Sequence, residues 1–533
     1  LMRILALNLS HHASAVIVED GKISLAIENE RISLIKQDSS IKETLTILKN
    51  ESFDYIGYTS YDINLNRKNY FKNLIKKDLD TFNIKYKELI EFPFHHETHA
   101  FSSFYNSGFD KAICLIVDNG GLSYQKDTQP LGQEILSIIK MDGKECSPVL
   151  KICSNKDNDT FKDEKIKSYP TISPAGIFEL TKRIYSYKEP GAVMGRSSYG
   201  KKNSSIYDLF KFKDNCFYVN PYFLTQIIYS VDKIEANEND MCYKIQKDCT
   251  DIILKYLELI SKDFPDYKIC LSGGFFQNCM ANYEIIKNKY DVFVDPVSHD
   301  GGTAIGLAQH IYQLKTNKRP EKYNNLYLGL HNDEITKEKI NLIDENIFCK
   351  ETTPNEVANL LKQNKSIALF QGRSEFGPRA LGNRSLLYNP NDLNAKEKIN
   401  LIKNREWFRP YAGTVLYEDK DEWFNFYGKD ETKYMSYAVE IKKEKCNIIP
   451  GVCHIDKTCR VQTLRKEDNF DFYELIEEFK KLTGIPILLN TSLNVAGKPL
   501  VETIEHAIDF ITKTDTDYLY LPETYLLLSK RGT

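Results

Sequence analysis

Histidine is scarce in this 533-residue chain, and its placement is the first chemical signal. Of ten histidines, five sit in two short clusters, His11/His12 and His95/His96/His99. His95 and His99 are four residues apart, so a helix would put both imidazoles on one face. Such a pair suits a divalent transition metal once carboxylates join from elsewhere. Asp118 and Asp300 are the natural partners, because each stands at a strand end in a glycine loop, Asp118-Asn-Gly-Gly121 and Asp300-Gly-Gly302. The order His96-Glu-Thr-His99 is not H-E-x-x-H, so the spacing excludes a zincin. A lone histidine pair is compatible with plain packing; the two matching Asp-Gly loops favour the metal.

Arginine is the second signal. Only 14 of the 71 basic residues are Arg, leaving 57 Lys, and five of the 14 (Arg373, Arg379, Arg384, Arg405, Arg409) fall between positions 373 and 409. Glycines interleave with them in Gln371-Gly-Arg-Ser-Glu-Phe-Gly-Pro-Arg-Ala-Leu-Gly-Asn-Arg-Ser385, and Lys403-Asn-Arg-Glu-Trp-Phe-Arg-Pro410 follows. Such a loop can fold closely around phosphate or carboxylate oxygens, with bidentate guanidinium contacts. The plain alternative is a set of salt bridges to Glu375, Glu397 and Glu406. Further on, His454, Asp456, Arg460 and Gln462 alternate as on one face of a strand, and Asn490-Thr-Ser492 closes an apolar strand.

Elements must position these groups. Residues 2–8 read as a buried strand that stops at Ser10-His-His-Ala-Ser14 and resumes through a hairpin at Asp20-Gly21. The scheme recurs from Ile113, ending in Asp118-Asn-Gly-Gly121. A strand ending in a carboxylate and small residues is a phosphate-cradling device, and its recurrence suggests a duplicated actin-like, ribonuclease-H-like architecture. Two further strands lead into Ser272-Gly273-Gly274 and Asp295-Pro-Val-Ser-His-Asp-Gly-Gly302, each followed by a helix-like run, at 277–287 and 303–314. The polar stretch 315–325 reads as a linker. Beyond it, strands at 366–370, 411–416, 437–441, 451–463 and 485–489 alternate with helices at 354–363, 472–482 and 504–512, an α+β domain.

Composition bounds the rest. The length calls for more than one domain. A hydrophobic content of 42% and a formal charge of −3 describe a folded chain with no global attraction to nucleic acid or anionic membrane. No apolar run approaches a membrane span. The first 19 residues carry His11 and His12 inside their apolar stretch and no small-residue cleavage site, so no signal peptide is expected. Twelve cysteines without a C-x-x-C pair suggest a reduced, cytoplasmic protein.

Taken together, the chain resembles the NodU/CmcH family of O-carbamoyltransferases nearly end to end. The motifs that carry the likeness are Ser10-His-His-Ala-Ser14, Glu28-Asn-Glu-Arg31, His95-His-Glu-Thr-His-Ala100, Asp118-Asn-Gly-Gly121, Pro190-Gly-Ala-Val-Met-Gly195, Leu271-Ser-Gly-Gly274, the Asp295–Gly302 run, the arginine loop and Leu489-Asn-Thr-Ser-Leu-Asn494. The resemblance implies an actin-like carbamoyl-transfer domain at 1–324 and a YrdC-like carbamoyl-adenylate-forming domain at 325–533. It implies carbamoyl phosphate and ATP as co-substrates, with Mg2+ for ATP. The second domain would bind them through Arg373, Arg379, Lys403, Arg405, Arg409, His454, Arg460, Asn490 and Ser492. In the first, His95, His99, Asp118 and Asp300 would hold a divalent metal, iron in relatives. Lys36, Asn119, Gly120, Gly195, Gly273, Gly274 and Asn278 would hold nucleotide, and His11 would be the general base toward a small-molecule hydroxyl acceptor. No nucleic-acid or membrane partner is implied, and a homodimer is left open. The family's first loop usually reads His-Asp-Ala-Ser, whereas here His12 replaces the Asp. A tRNA threonylcarbamoyl transferase and an actin-fold ATPase or sugar kinase are the rival readings. The first predicts a basic groove, and the second leaves the arginine loop without a task.

Overall fold

The computed structural model describes all residues except 61–69, 127–128, 156–160, 163–164, 230–237, 333 and 531–533. It divides into two compact units, one of Leu1–Ser33 and Gln37–Asn324, the other of Leu34–Lys36 and Asn325–Thr533.

The first unit contains two sheets built to one plan. In the first sheet, Arg3–Asn8 lies at the centre, antiparallel to Ser14–Glu19, which pairs antiparallel with Lys22–Glu28; on its other side Ser52–Thr59 and then Lys85–Glu91 run parallel. In the second, Lys111–Val117 is central, antiparallel to Gln129–Asp142 and through it to Glu145–Ser154, with Lys268–Ser272 and Val292–Val294 parallel on the other side. The same order and the same sequence of orientations recur, so the repeated strand-and-loop grammar corresponds to a repeated topology. The central strands are almost wholly buried, as continuous apolar runs require. The first hairpin turns at Asp20 and Gly21, both with positive φ (46° and 90°), the backbone that a tight two-residue hairpin turn needs.

Helix His95–Ser107 buries every residue but its last, so it is a core helix, and Gly108 in the left-handed region ends it. Helix Thr303–Thr316, buried from Thr303 through Gln313, packs against it. The run expected as one helix over 277–287 is divided: a single 3₁₀ turn, Gly274–Gln277, precedes helix Cys279–Lys287, which Asn278 caps.

The second unit is a ten-stranded mixed sheet. Its middle runs Ile367–Phe370, Arg384–Tyr388, Ile487–Ser492, Ala412–Leu416, Thr458–Leu464. Helices Pro354–Lys362 and Phe470–Thr483 pack together, the former opened by a capping box between Thr353 and Glu356. The strand expected over 451–463 forms only as Thr458–Leu464. Asp456 Oδ1 accepts hydrogen bonds from the Thr458 N–H and hydroxyl at 3.0 and 2.7 Å, and Lys457 has φ 64°, a turn that ends the extended run. His454 and Asp456 therefore precede the strand, and only Arg460 and Gln462 alternate within it. All twelve cysteines are free thiols. Among the described residues, no helix is long and apolar enough to cross a membrane.

Candidate functional site

Helix His95–Ser107 and two loops at strand ends bring four buried groups together. One ligand atom each from His95, His99, Asp118 and Asp300 lies within 4.8 Å of all the others. His95 Nε2 is 3.5 Å from both Asp118 Oδ2 and Asp300 Oδ1, and His99 Nε2 is 3.3 and 3.8 Å from the same atoms. The sequence spacing places the histidines one turn apart; the Lys111–Val117 strand delivers Asp118, and the turn after Val292–Val294 delivers Asp300. Although buried, His99 Nε2 and Asp118 Oδ2 face each other without a hydrogen bond. Lone pairs and charge converging in this way, with two imidazoles and two carboxylates, fit a divalent cation.

The electrostatics agree with strong coupling. Burial favours a neutral His95, yet Asp300 and Asp118 outweigh it and raise the group to about 10. His99 is raised as well, against its burial, by the same two carboxylates close to its Nε2. Burial and mutual repulsion push Asp118 up, but His95 and His99 hold it below the usual carboxylate range. Asp300, opposed likewise by burial, is held low by His95 and His11.

Support comes from a surrounding shell. Ser272 Oγ donates to Asp295 Oδ2 at 3.0 Å and lies 3.4 Å from His99 Nδ1. A hydroxyl has one proton; with it directed at Asp295, Ser272 accepts from Nδ1–H, leaving His99 Nε2 bare toward the quartet. Asp300 serves two sides. Its Oδ1 faces the histidines, while Oδ2 accepts from Ser10 Oγ at 2.9 Å and lies 3.5 Å from His11 Nδ1. The His11 side chain is 49% exposed, so the imidazole reaches solvent beside a buried quartet. His12 has the opposite setting. It is half-buried against His299, ring centroids 5.0 Å apart, and desolvation with the neighbouring imidazoles of His299 and His11 lowers it to about 3. Glu28 holds His299 at 2.5 Å through one oxygen and Arg31 through the other.

Gly273 and Gly274 lie against this centre. Gly273 has φ 96°, and a Cβ there would meet the Val117 carbonyl at 2.4 Å; one on Gly274 would stand 3.0 Å from Asp118 Oδ1. Asn119 and Gly120 continue the Asp118 loop, and the Asn119 N–H donates to Asp118 Oδ1 at 2.7 Å. Gly195 is buried in helix Gly191–Ser197, whose Met194 and Ser197 touch Cys279 and Met280. Asn278 is committed to structure: its Oδ1 caps Ala281 N–H, and its amide exchanges hydrogen bonds with Gln246. Lys36 is exposed and belongs to the stretch grouped with the second unit.

In the second unit the arginines divide by role. Arg384 is fully buried, donates to the carbonyls of Gln371, Gly372, Asn383 and Glu502, and stacks 3.7 Å over Phe370. Arg373 donates Nε to Gly329 and Nη2 to Leu328, both at 2.6 Å. These two hold backbone. Glu375 Oε1 accepts the N–H groups of Leu381, Asn383 and Arg384, shaping the loop that carries half-buried Arg379. The salt-bridge alternative for Glu375 therefore gives way to a backbone role. Lys403 Nζ binds the Ser492 and Asn494 carbonyls at 2.5 and 2.8 Å and lies 3.3 Å from Ser492 Oγ. Arg460 and Asn490 both pair in register with Ala412, so they share a face about 10 Å apart, twice the strand spacing. Asn490 Nδ2 donates to Thr414, while its buried Oδ1 meets no donor. Arg405 lies over Tyr411 at 5.8 Å, Arg409 is buried 3.7 Å from Glu406, and His454 is buried in its turn.

Two family models match this chain: "Carbamoyltransferase N-terminus" over residues 57–309 and "Carbamoyltransferase C-terminus" over residues 358–528. The chain belongs to the NodU/CmcH family of carbamoyltransferases. This carbamoyltransferase is 28% identical to nodulation protein NolNO of Sinorhizobium fredii, over 98% of its own length and 80% of that protein's. It is 29% identical to nodulation protein NolO of Bradyrhizobium diazoefficiens, over 80% and 77%. It is 30% identical to the uncharacterized protein MJ1051 of Methanocaldococcus jannaschii, over 96% and 97%.

Sequence reasoning on the carbamoyltransferase missed Ser10, Ser272 and Asp295 as parts of the site. All three lie inside quoted motifs without a role given to them, and the available signal is a polar residue at or just past the end of an apolar strand. What the sequence does not carry is the contact of Ser10 with Asp300 and of Ser272 with Asp295 and His99, which join distant segments.

Proposed function

We propose that this enzyme is an ATP-dependent O-carbamoyltransferase that works in two half-reactions. In the first, carbamoyl phosphate and water give carbamate and phosphate; a carbamate oxygen attacks the α-phosphorus of ATP, and pyrophosphate leaves. In the second, a hydroxyl oxygen of a small-molecule acceptor attacks the carbamoyl carbon of the resulting adenylate, and AMP leaves. The first unit, read as a duplicated actin-like domain, performs transfer; the second, read as YrdC-like, forms the adenylate. The observation that carries the proposal is the buried His95/His99/Asp118/Asp300 quartet with solvent-reachable His11 at its edge, in a chain that both carbamoyltransferase models match.

His95, His99, Asp118 and Asp300 would hold a divalent metal, read as iron by resemblance. When bound, it supplies Lewis-acid polarisation and neutralises phosphate charge. The remaining work belongs to side chains. His11 takes the acceptor's proton, and Asp300 Oδ2, itself held by Ser10, orients the ring. Burial separates the two adjacent histidines: His12, lowered to about 3, is a poor proton acceptor at neutral pH. The Gly273-Gly274 backbone beside Asp118 offers close approach to a nucleotide phosphate. In the second unit, Arg379, Arg405, Arg409 and Arg460 serve as the anion clamp. Lys403, Ser492 and Asn490 line the strand end beside them, and Arg373 and Arg384 build the loop.

The test separates the sites. Arg379→Ala is expected to abolish carbamoyl-phosphate-dependent exchange of pyrophosphate into ATP. His11→Ala is expected to keep that exchange and lose carbamoyl transfer. Loss of exchange in the His11 variant would contradict the two-site division.

A further inference from the structure

Glu134 is outside the quartet, yet it touches both chain segments that build it. Its Oε1 accepts the N–H of His96, at the start of the histidine helix, and the N–H of Leu122, at the end of the Asp118 loop, each at 3.2 Å. Its Oε2 pairs with Lys151 Nζ at 2.9 Å, and Lys151 continues to Glu97 Oε1, on the same helix, at 2.8 Å. Glu134 and Lys151 side chains are 0% and 2% exposed, so three charges are buried together. Buried charges are costly unless every partner is in place, and here the carboxylate also satisfies an N–H that the first helical turn leaves without a partner.

The backbone repeats the connection. Gly121 N–H donates to the Glu134 carbonyl at 2.7 Å, Glu134 N–H to Leu122 at 3.0 Å, and Asp118 N–H to the Ile135 carbonyl at 3.2 Å. The strand slips register between Glu134 and Leu136, an irregularity of the kind that re-aims side chains beside active sites. Packing is tight enough that a Cβ on Gly121 would stand 2.6 Å from Glu134 Cγ and 2.9 Å from His96 Cδ2.

We infer that Glu134, clamped by Lys151, is a positioning residue that sets the spacing between the His95/His99 helix and the Asp118 loop, and so the affinity of the quartet for a divalent metal. The inference rests on the metal reading given above. The experiment uses metal-free full-length protein, wild type and Glu134→Gln, in two measurements. Amide hydrogen exchange should quicken in the variant across 95–107 and 118–122. Titration with Co2+ should show affinity about 10–100-fold weaker and an altered visible absorption band, the scale of lost support around metal ligands. Unchanged exchange, or unchanged Co2+ affinity and spectrum, would overturn the inference. A wild-type protein that binds no Co2+ would instead overturn the metal reading, and the exchange result would then judge the strut alone. Where Glu134→Gln fails to fold, Glu134→Gln/Lys151→Met removes both charges at similar volume, and wild-type Co2+ binding by that variant would equally refute the role.

Discussion

Arg384→Met separates a structural arginine from one proposed to bind ligand within a single motif. The wild-type guanidinium makes five hydrogen bonds to four backbone carbonyls, from Gln371 at 2.5 Å to Glu502 at 3.3 Å, and stacks on Phe370. Methionine keeps much of the volume but no donor. Each buried acceptor left short of a partner costs about 1–3 kcal/mol, offset in part because a desolvated charge is removed. A net loss of about 4 kcal/mol follows, and for a unit of this size each kcal/mol shifts the transition by about 2–4 °C, hence about 8–16 °C in all. Differential scanning calorimetry should show the lowest transition falling by that amount, together with lost adenylate formation. Arg379→Ala should lose adenylate formation with the transition unmoved. An Arg384→Met protein of wild-type stability that fails to form adenylate would refute the structural assignment and place Arg384 in the anion clamp.

Further outcomes are expected elsewhere. His95→Ala/His99→Ala should lose its bound divalent metal by elemental analysis; unchanged metal content would sink the quartet assignment. Asp517 accepts hydrogen bonds from the Ser366 N–H and hydroxyl at 2.9 and 2.7 Å. These bonds and Lys398 hold its carboxyl below the usual range despite burial. The folded value lies below the unfolded one, so its stabilisation is present above about pH 4 and is lost as pH falls through the folded value. Asp517→Asn should cost about 1–2 kcal/mol in urea melts at pH 7, and the gap should narrow at pH 3.5; an equal gap at both values would contradict this.

The parts of this molecule that could be read from sequence are those with local signatures. The Asp20-Gly21 hairpin, the apolar central strands and the one-turn spacing of His95 and His99 each follow from a few adjacent residues, and each forms where expected. The quartet was reachable because both carboxylates sit in glycine loops at strand ends. The misses have a common cause. Arg384 and Arg379 look alike in a glycine-rich motif, and only the fold shows Arg384 fully buried among backbone carbonyls and Arg379 half-buried. Asp456 breaks a strand because its side chain competes for the Thr458 backbone, a local bond that alternating polarity conceals. Glu134 has no local signature because its partners at His96, Leu122 and Lys151, on a helix, a loop and a neighbouring strand, meet it only in the fold.

On the proposed function, the second unit makes carbamoyl adenylate. Isotope exchange from labelled pyrophosphate into ATP, with purified full-length protein and no acceptor present, tests it most directly. Exchange should require carbamoyl phosphate and survive His11→Ala. Absence of exchange, or exchange that proceeds equally without carbamoyl phosphate, would contradict it.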